Sequence, residues 1–299
     1  MSGVVSATTG KPYGLALVCR SWGLARSSLY WCRQRRSSDR LNLRPGRVGP
    51  CPDSELVEEI KTVLKESPFH GEGYRKAWAR LRLKGIRTSK RRTLRLMREH
   101  GLLAPHRVGR PHGPKAHEGT ITTDRVDEMW GTDMTSDWTS QEGQAAVFIA
   151  VDHCSAECVG IHASKRADRF QALEPIRQGV RGQFGAFDKG IVANGLKLRH
   201  DHGSQYMSDD FQNEVDFLGM ESSPAFVREP QGNGCAERFI RTLKENLLWV
   251  RSFQTIEELR LALHEFKDQY NNQWLIEKHG NKTPAQIRKL QTASAKQAA

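Results

Sequence analysis

The chain has 299 residues, with 46 Lys and Arg against 34 Asp and Glu and a formal charge of +12. That length suits two domains, or one large domain with an appendage, better than a single compact unit. No apolar run reaches transmembrane length and the N-terminal residues lack a hydrophobic secretory core, so the expectation is a cytoplasmic protein without a membrane span.

The charge is uneven. Residues 1–120 carry 25 Lys and Arg against 9 Asp and Glu, and the remainder carries 21 against 25. An excess of +16 on one segment suits a polyanion, of which nucleic acid is the commonest, with an anionic membrane surface as the competing partner. The cysteines, Cys19, Cys32, Cys51, Cys154, Cys158 and Cys235, form no CxxC pair. They are expected to stay reduced, and they offer no zinc site.

Tyr13–Cys19 and Ser27–Cys32 read as two short helices around a Ser21-Trp22-Gly23-Leu24 turn, with Ser27 as N-cap. This pair is either a small helix-turn-helix or a hairpin that only packs. Arg33–Pro52, rich in Arg, Pro and Gly, reads as a linker. The spacing then predicts three helices: Glu55–Glu66 with Leu56, Ile60, Val63 and Leu64 apolar; Tyr74–Lys84 with Ala77, Leu81 and Leu83 for the core; and Lys90–Arg98, opened by Thr88-Ser89, with Leu94 and Met97 for burial. Lys90, Arg91, Arg92 and Arg95 give the third helix a cationic face suited to phosphates and major-groove base edges. A solvated face is the alternative. Pro105–Glu118 is a Pro, Gly and His-rich connector.

From about Ile121 the pattern becomes α/β. Strands are expected over Met129–Thr135, Ala145–Val151, Cys158–Ala163 and Leu196–His200, with helices over Arg169–Arg181 and from Ser208. A short extended piece precedes the last helix of this series. That helix follows the loop Pro230-Gln231-Gly232-Asn233-Gly234, takes Asn233 as N-cap, and should bury Phe239, Leu243, Leu247 and Val250. Glu237, Arg241 and Lys244 share another of its faces. The order fits a mixed sheet with helices packed on it.

Three acids stand out. Asp133 lies inside the first strand in Trp130-Gly131-Thr132-Asp133-Met134-Thr135, where an unpaired carboxylate is costly. Asp201 ends the fourth in His200-Asp201-His202-Gly203-Ser204-Gln205-Tyr206, and Glu237 opens the basic helix. Hard divalent cations take oxygen ligands of this kind, and an acidic metal site beside a basic helix face suits a phosphodiester. His200 and His202 read as neighbours of a metal carboxylate and not as bases. Asp152 reads as a turn residue, and Cys154 and Cys158 as small apolar ones.

Asp133 in WGTDMT, Asp201 in HDHGSQY and Glu237, with 35 residues between the last two acids and Lys244 seven further on, resemble the DDE pattern of retroviral integrases and bacterial insertion-sequence transposases. The second-reading-frame transposases are the nearest likeness, and Lys282-Thr283-Pro284 resembles their closing motif. Trp274 and Ile276 depart from that motif, where many relatives have Arg and His.

The resemblance implies a ribonuclease H-like α/β fold, a mixed five-stranded sheet with flanking helices, preceded by a helical helix-turn-helix region. It implies an N-terminal helical segment and linker over 1–50, a basic DNA-binding domain over 51–118, and an integrase-like core with a helical tail over 119–292. It also implies a metal-dependent DNA transposase in which Asp133, Asp201 and Glu237 hold two Mg²⁺ or Mn²⁺ ions, nick DNA at element ends, and direct the freed 3′-hydroxyl into target DNA. Arg241, Lys244 and the cations of the third helix would contact DNA. Such a protein would act in the bacterial cytoplasm at the nucleoid as a homo-oligomer on DNA, with the product of an upstream reading frame as a further partner. A ribonuclease H-like nuclease, and a DNA-binding regulator that has lost catalysis, stay open beside it.

Overall fold

The computed structural model describes residues 4–30, 51–105, 123–187, 190–225 and 233–298. The chain forms two compact units, 1–52 and 53–299. In the first, a bridge between Val5 and Pro12 precedes α1 (Leu15–Ser21) and α2 (helical at 26–30). Cys19, in α1, is buried. The expected cap at Ser27 is corrected: the Ala25 carbonyl already accepts the Ser28 N–H, so the helix starts a residue earlier and Ser27 lies inside it. Cys32, the linker up to Pro50, the connector beyond Pro105, and Pro230, Gln231 and Gly232 lie outside the described residues.

The second unit opens with α3 (Asp53–Glu66), α4 (Tyr74–Leu83) and α5 (Lys90–Glu99). Their buried stripes meet: Leu56, Val57, Ile60 and Val63 from α3, Ala77, Ala79 and Leu81 from α4, and Thr93, Leu96 and Met97 from α5. Ser89 caps α5 by accepting the Arg92 N–H at 3.1 Å. Two expected core residues differ. Leu83 is 71% exposed, because α4 ends there. Leu94 is only half-buried, since the face of α5 that meets its neighbours is centred on Thr93 and Met97, and Leu94 lies to one side.

The remainder builds a five-stranded sheet from β1 (Met129–Thr139), β2 (Gly143–Asp152), β3 (Cys158–Ser164), β4 (Lys197–His200) and β5 (Glu221–Pro224), in the order β3-β2-β1-β4-β5. The β1–β2 and β2–β3 pairs are antiparallel, and β1–β4 and β4–β5 are parallel. Side chains alternate across a strand, so the apolar run of β2 feeds two cores. Val147, Ile149 and Val151 join Phe239, Leu243, Leu259, Leu263 and Phe266 on one face. Ala146, Phe148 and Ala150 join Leu173, Ile176, Phe211, Val215 and Leu218 on the other. The second core comes from α6 (Arg169–Phe184) and α7 (Asp209–Phe217), and the first from α8 (Gly234–Leu243) and α9 (Ile256–Gln273). This is the mixed sheet with flanking helices that the sequence implied.

Between α8 and α9 the helix widens into a π turn, Lys244–Leu248. The expected stripe is corrected here. Phe239 and Leu243 are buried, but Leu247 is half-buried and Val250 is 55% exposed, because the wider turn carries Asn246 and Leu248 inward instead. Asn246 then accepts the His70 N–H through Oδ1 at 2.7 Å, and Phe69 meets Trp274 edge-on at 4.9 Å. Arg75 and Lys90 both pair with Glu277, in the 3-10 turn Glu277–His279. The three-helix segment is thus bonded to the core. At the end, α10 (Pro284–Ala298) is anchored by Arg288, which donates to Asp127 at 2.6 and 3.0 Å and to Glu157.

Candidate active site

Asp133 sits half-buried in β1, and its Oδ1 accepts the Met134 N–H at 2.8 Å. Burial pushes its pKa up to about 6; the negative charges of Asp201 and Glu237 add to this, while the Met134 N–H and the positive charge of Lys244 oppose it. The sheet explains the pairing with Asp201. Trp130 stands opposite Leu198 and Gly131 opposite Arg199 across β1 and β4. β4 ends at His200, so Asp201 leaves the sheet just beyond this register, close enough for its charge to reach Asp133.

Asp201 follows the last residue of β4 and is exposed, with Oδ1 accepting the Gly203 N–H at 2.8 Å. A Cβ on Gly203 would lie 2.6 Å from Gln205 Nε2 and 2.9 Å from that oxygen, so a larger residue there would push both side chains aside. Both ring nitrogens of His200 are engaged, Nδ1 with the Asp201 carbonyl at 2.7 Å and Nε2 with Ser222 Oγ at 2.9 Å. A carbonyl can only accept, so Nδ1 carries the proton, and burial lowers the pKa and keeps the ring neutral. His200 therefore braces the loop. Tyr206 lies fully buried beneath the two aspartates, its pKa raised by burial and then by the charge of Asp133.

Glu237 is carried by the first turn of α8, where partial desolvation raises its pKa. Asn233 precedes this helix as expected, but it makes no capping bond. Its Nδ2 donates to the Thr132 carbonyl at 2.9 Å, which pins the start of α8 to β1 one residue from Asp133. Sequence reading missed this role because the partner is 101 residues away. Lys244, at the start of the π turn, is the helix cation whose charge reaches Asp133, whereas Arg241 donates to Glu245 at 3.1 Å.

The four cations singled out on α5 divide. Lys90 pairs with Glu277 at 3.0 Å, Arg92 with Asp53 at 2.5 Å, and Arg95 with Asp53 at 2.5 Å and Glu99 at 2.8 Å. Arg91 is exposed. Arg98 was not singled out, although it lies seven residues on and shares the outward side of Arg91.

Carboxylate oxygens from three elements suit a hard divalent cation. The like charges that help to raise Asp133 are what such an ion would relieve. Among the described residues, however, no group of three or more His, Cys, Asp or Glu lies close enough together to hold a metal ion. Asp133 senses the charges of Asp201 and Glu237 without the three acids closing on a common point.

Residues 123–230 and 218–284 match models of an integrase core domain, and residues 52–110 match a model of an HTH-like domain. The transposase InsD for insertion element IS2A/D/F/H/I/K of Escherichia coli is 26% identical over 248 residues, covering 81% of this chain and 80% of that protein. Among solved structures, the simian T-cell lymphotropic virus intasome in complex with PP2A regulatory subunit B56 gamma aligns at a TM-score of 0.45 with 17% identity, covering 71% of this chain and 70% of that one. The catalytic core domain of BIV integrase aligns at 0.42 with 22% identity, covering 57% of this chain and 98% of that one. With an HTH-like domain match followed by integrase core domain matches running from 123 to 284, the chain is similar to insertion-element transposases over four fifths of its length.

Proposed function

We propose that the chain is a polynucleotidyl transferase that nicks DNA at the ends of an insertion sequence and joins the freed 3′-hydroxyl to target DNA. The observation that carries this is the convergence of three acids and a cation: Asp133 in β1 lies within reach of the charges of Asp201 after β4, Glu237 in α8 and Lys244 in the π turn. Asp133, Asp201 and Glu237 would hold Mg²⁺ or Mn²⁺, two ions in all. Ions held there would supply activation of the attacking oxygen and stabilisation of the leaving one in an in-line displacement.

The chain's own residues do the rest. Asp133 on β1 and Asp201 just past the end of β4 would supply two of the carboxylates, and Asn233 holds the start of the helix of Glu237 against β1. Lys244 would take a phosphate of the cleaved strand, with Arg241, paired with Glu245, as a further candidate contact. The HTH-like segment, 52–110, would supply end recognition through the cationic helix α5, where Arg91 is exposed and Lys90, Arg92 and Arg95 are ion-paired. Homo-oligomeric assembly on DNA in the cytoplasm, and a partnership with an upstream reading frame, belong to this reading.

The test incubates the full chain with duplexes carrying the sequences that flank its gene, in Mg²⁺ or Mn²⁺, and follows both nicked and joined products. Asp133→Asn, Asp201→Asn and Glu237→Gln should each abolish both products while retaining end binding. Cleavage near the wild-type rate by any of the three would remove that residue from the site.

A further inference from the structure

Residues 53–100 hold 13 Lys and Arg. Nine of them already have an acid or an aromatic ring as partner: Lys61, Arg75, Lys76, Arg80, Arg82, Lys84, Lys90, Arg92 and Arg95. The four with neither among the described residues are Lys65, Arg87, Arg91 and Arg98. Three of these cluster. Arg87 lies two residues before the cap Ser89, and Arg91 and Arg98 lie two turns apart on α5, all exposed. Seven residues of helix turn the chain almost back on itself over roughly 10 Å, so Arg91 and Arg98 share one line, opposite buried Thr93 and Met97.

We propose that this outward line of α5, Arg91 and Arg98 with Arg87 at its entry, is the surface that meets duplex DNA, while Lys90, Arg92 and Arg95 hold the helix in place. This rests on the transposase reading. A guanidinium bonded to a carboxylate must break charge-assisted bonds before it can take a phosphate or a guanine edge. Arg92 and Arg95 share Asp53 at the start of α3, and Lys90 shares Glu277 with Arg75, so these cations join α5 to α3 and to the core. Among the described residues, Arg91 and Arg98 have no such bond to lose. Their separation is also within the roughly 12 Å width of the major groove.

The experiment measures affinity of the full chain for a duplex with the gene's flanking terminal sequence and for a scrambled duplex, at several salt concentrations. Arg91→Ala with Arg98→Ala should weaken binding at least tenfold. The double variant should also lower the slope of log affinity against log salt by about 2 if both arginines contact phosphates, or reduce the preference for the terminal sequence if they contact bases. Arg92→Ala with Arg95→Ala should lower the melting temperature and leave the salt slope unchanged. Wild-type affinity and slope in the first variant, or a loss confined to the second while it remains folded, would overturn the assignment alone. Failure of the wild-type chain to bind either duplex would overturn the transposase reading, and this one with it.

Discussion

Asp133→Asn should make the metal-free protein more stable at neutral pH. In the fold the carboxyl titrates at about 6, against 3.8 for an unperturbed aspartate. A raised acid binds its proton more tightly folded than unfolded, so stability falls as pH climbs from about 4 to 6 and the full cost is present above 6. At about 1.4 kcal/mol for each pH unit between the two values, that cost is about 3 kcal/mol. Asparagine keeps the shape and can accept the Met134 N–H through Oδ1, while its amide adds no charge beside Asp201 and Glu237. For a unit of this size, ~3 kcal/mol corresponds to roughly 6–12 °C in melting temperature. The assay is a thermal melt of wild type and variant in chelator from pH 4.5 to 8.5. The variant should gain most above pH 6, and the two curves should approach one another near pH 4.5. Equal melting temperatures at pH 8, or a gain that grows towards acid, would refute the electrostatic reasoning. In Mg²⁺ the order should reverse, because an ion that binds only the folded wild type stabilises it by mass action.

Lys244→Ala should lower strand transfer at least tenfold while changing stability by less than about 0.5 kcal/mol, read from product gels and a melt of the same preparation; a large loss of stability would make Lys244 structural. Arg288→Ala leaves Asp127 and Glu157 without their cation and should cost about 3–5 kcal/mol in denaturant unfolding at pH 8. The loss should shrink in acid, since burial already raises the pKa of Glu157 and protonation then removes its charge. Gly160→Ala would set a Cβ 1.8 Å from the Pro175 carbonyl oxygen, so β3 and α6 must part. Overpacking of that kind should cost about 3 kcal/mol or abolish soluble expression, and a wild-type melt would show that the contact yields.

The parts legible in the sequence were those with local causes. Alternation and apolar runs marked β1, β2 and β3, Ser89 and Ser208 capped their helices, and the acids stood in short motifs that put Asp133 on the first strand and Asp201 at the end of the fourth. The parts that escaped depend on distant partners. Nothing near Asn233 announces a bond to Thr132, and nothing near Lys90 announces Glu277, 187 residues on. Extrapolating a 3.6-residue period past Leu243 also failed at Val250, because a π turn breaks the period without Gly or Pro to mark it.

That π turn makes chain length between two points matter more than chemistry. It holds Lys244–Leu248 in a loop wider than an α-helical turn, with the Trp249 N–H bonded back to the Lys244 carbonyl at 2.9 Å. Removing one residue there would let the turn close to an ordinary α-helical one and change which residues of the stretch face inward. The Asn246 side chain would leave the His70 N–H, and the join between the HTH-like segment and the helix of Glu237 would open. The stretch should therefore accept substitutions at its exposed positions in related chains but keep a fixed count of residues. Insertions and deletions between Glu237 and Phe253 should be the rarest length changes in the core.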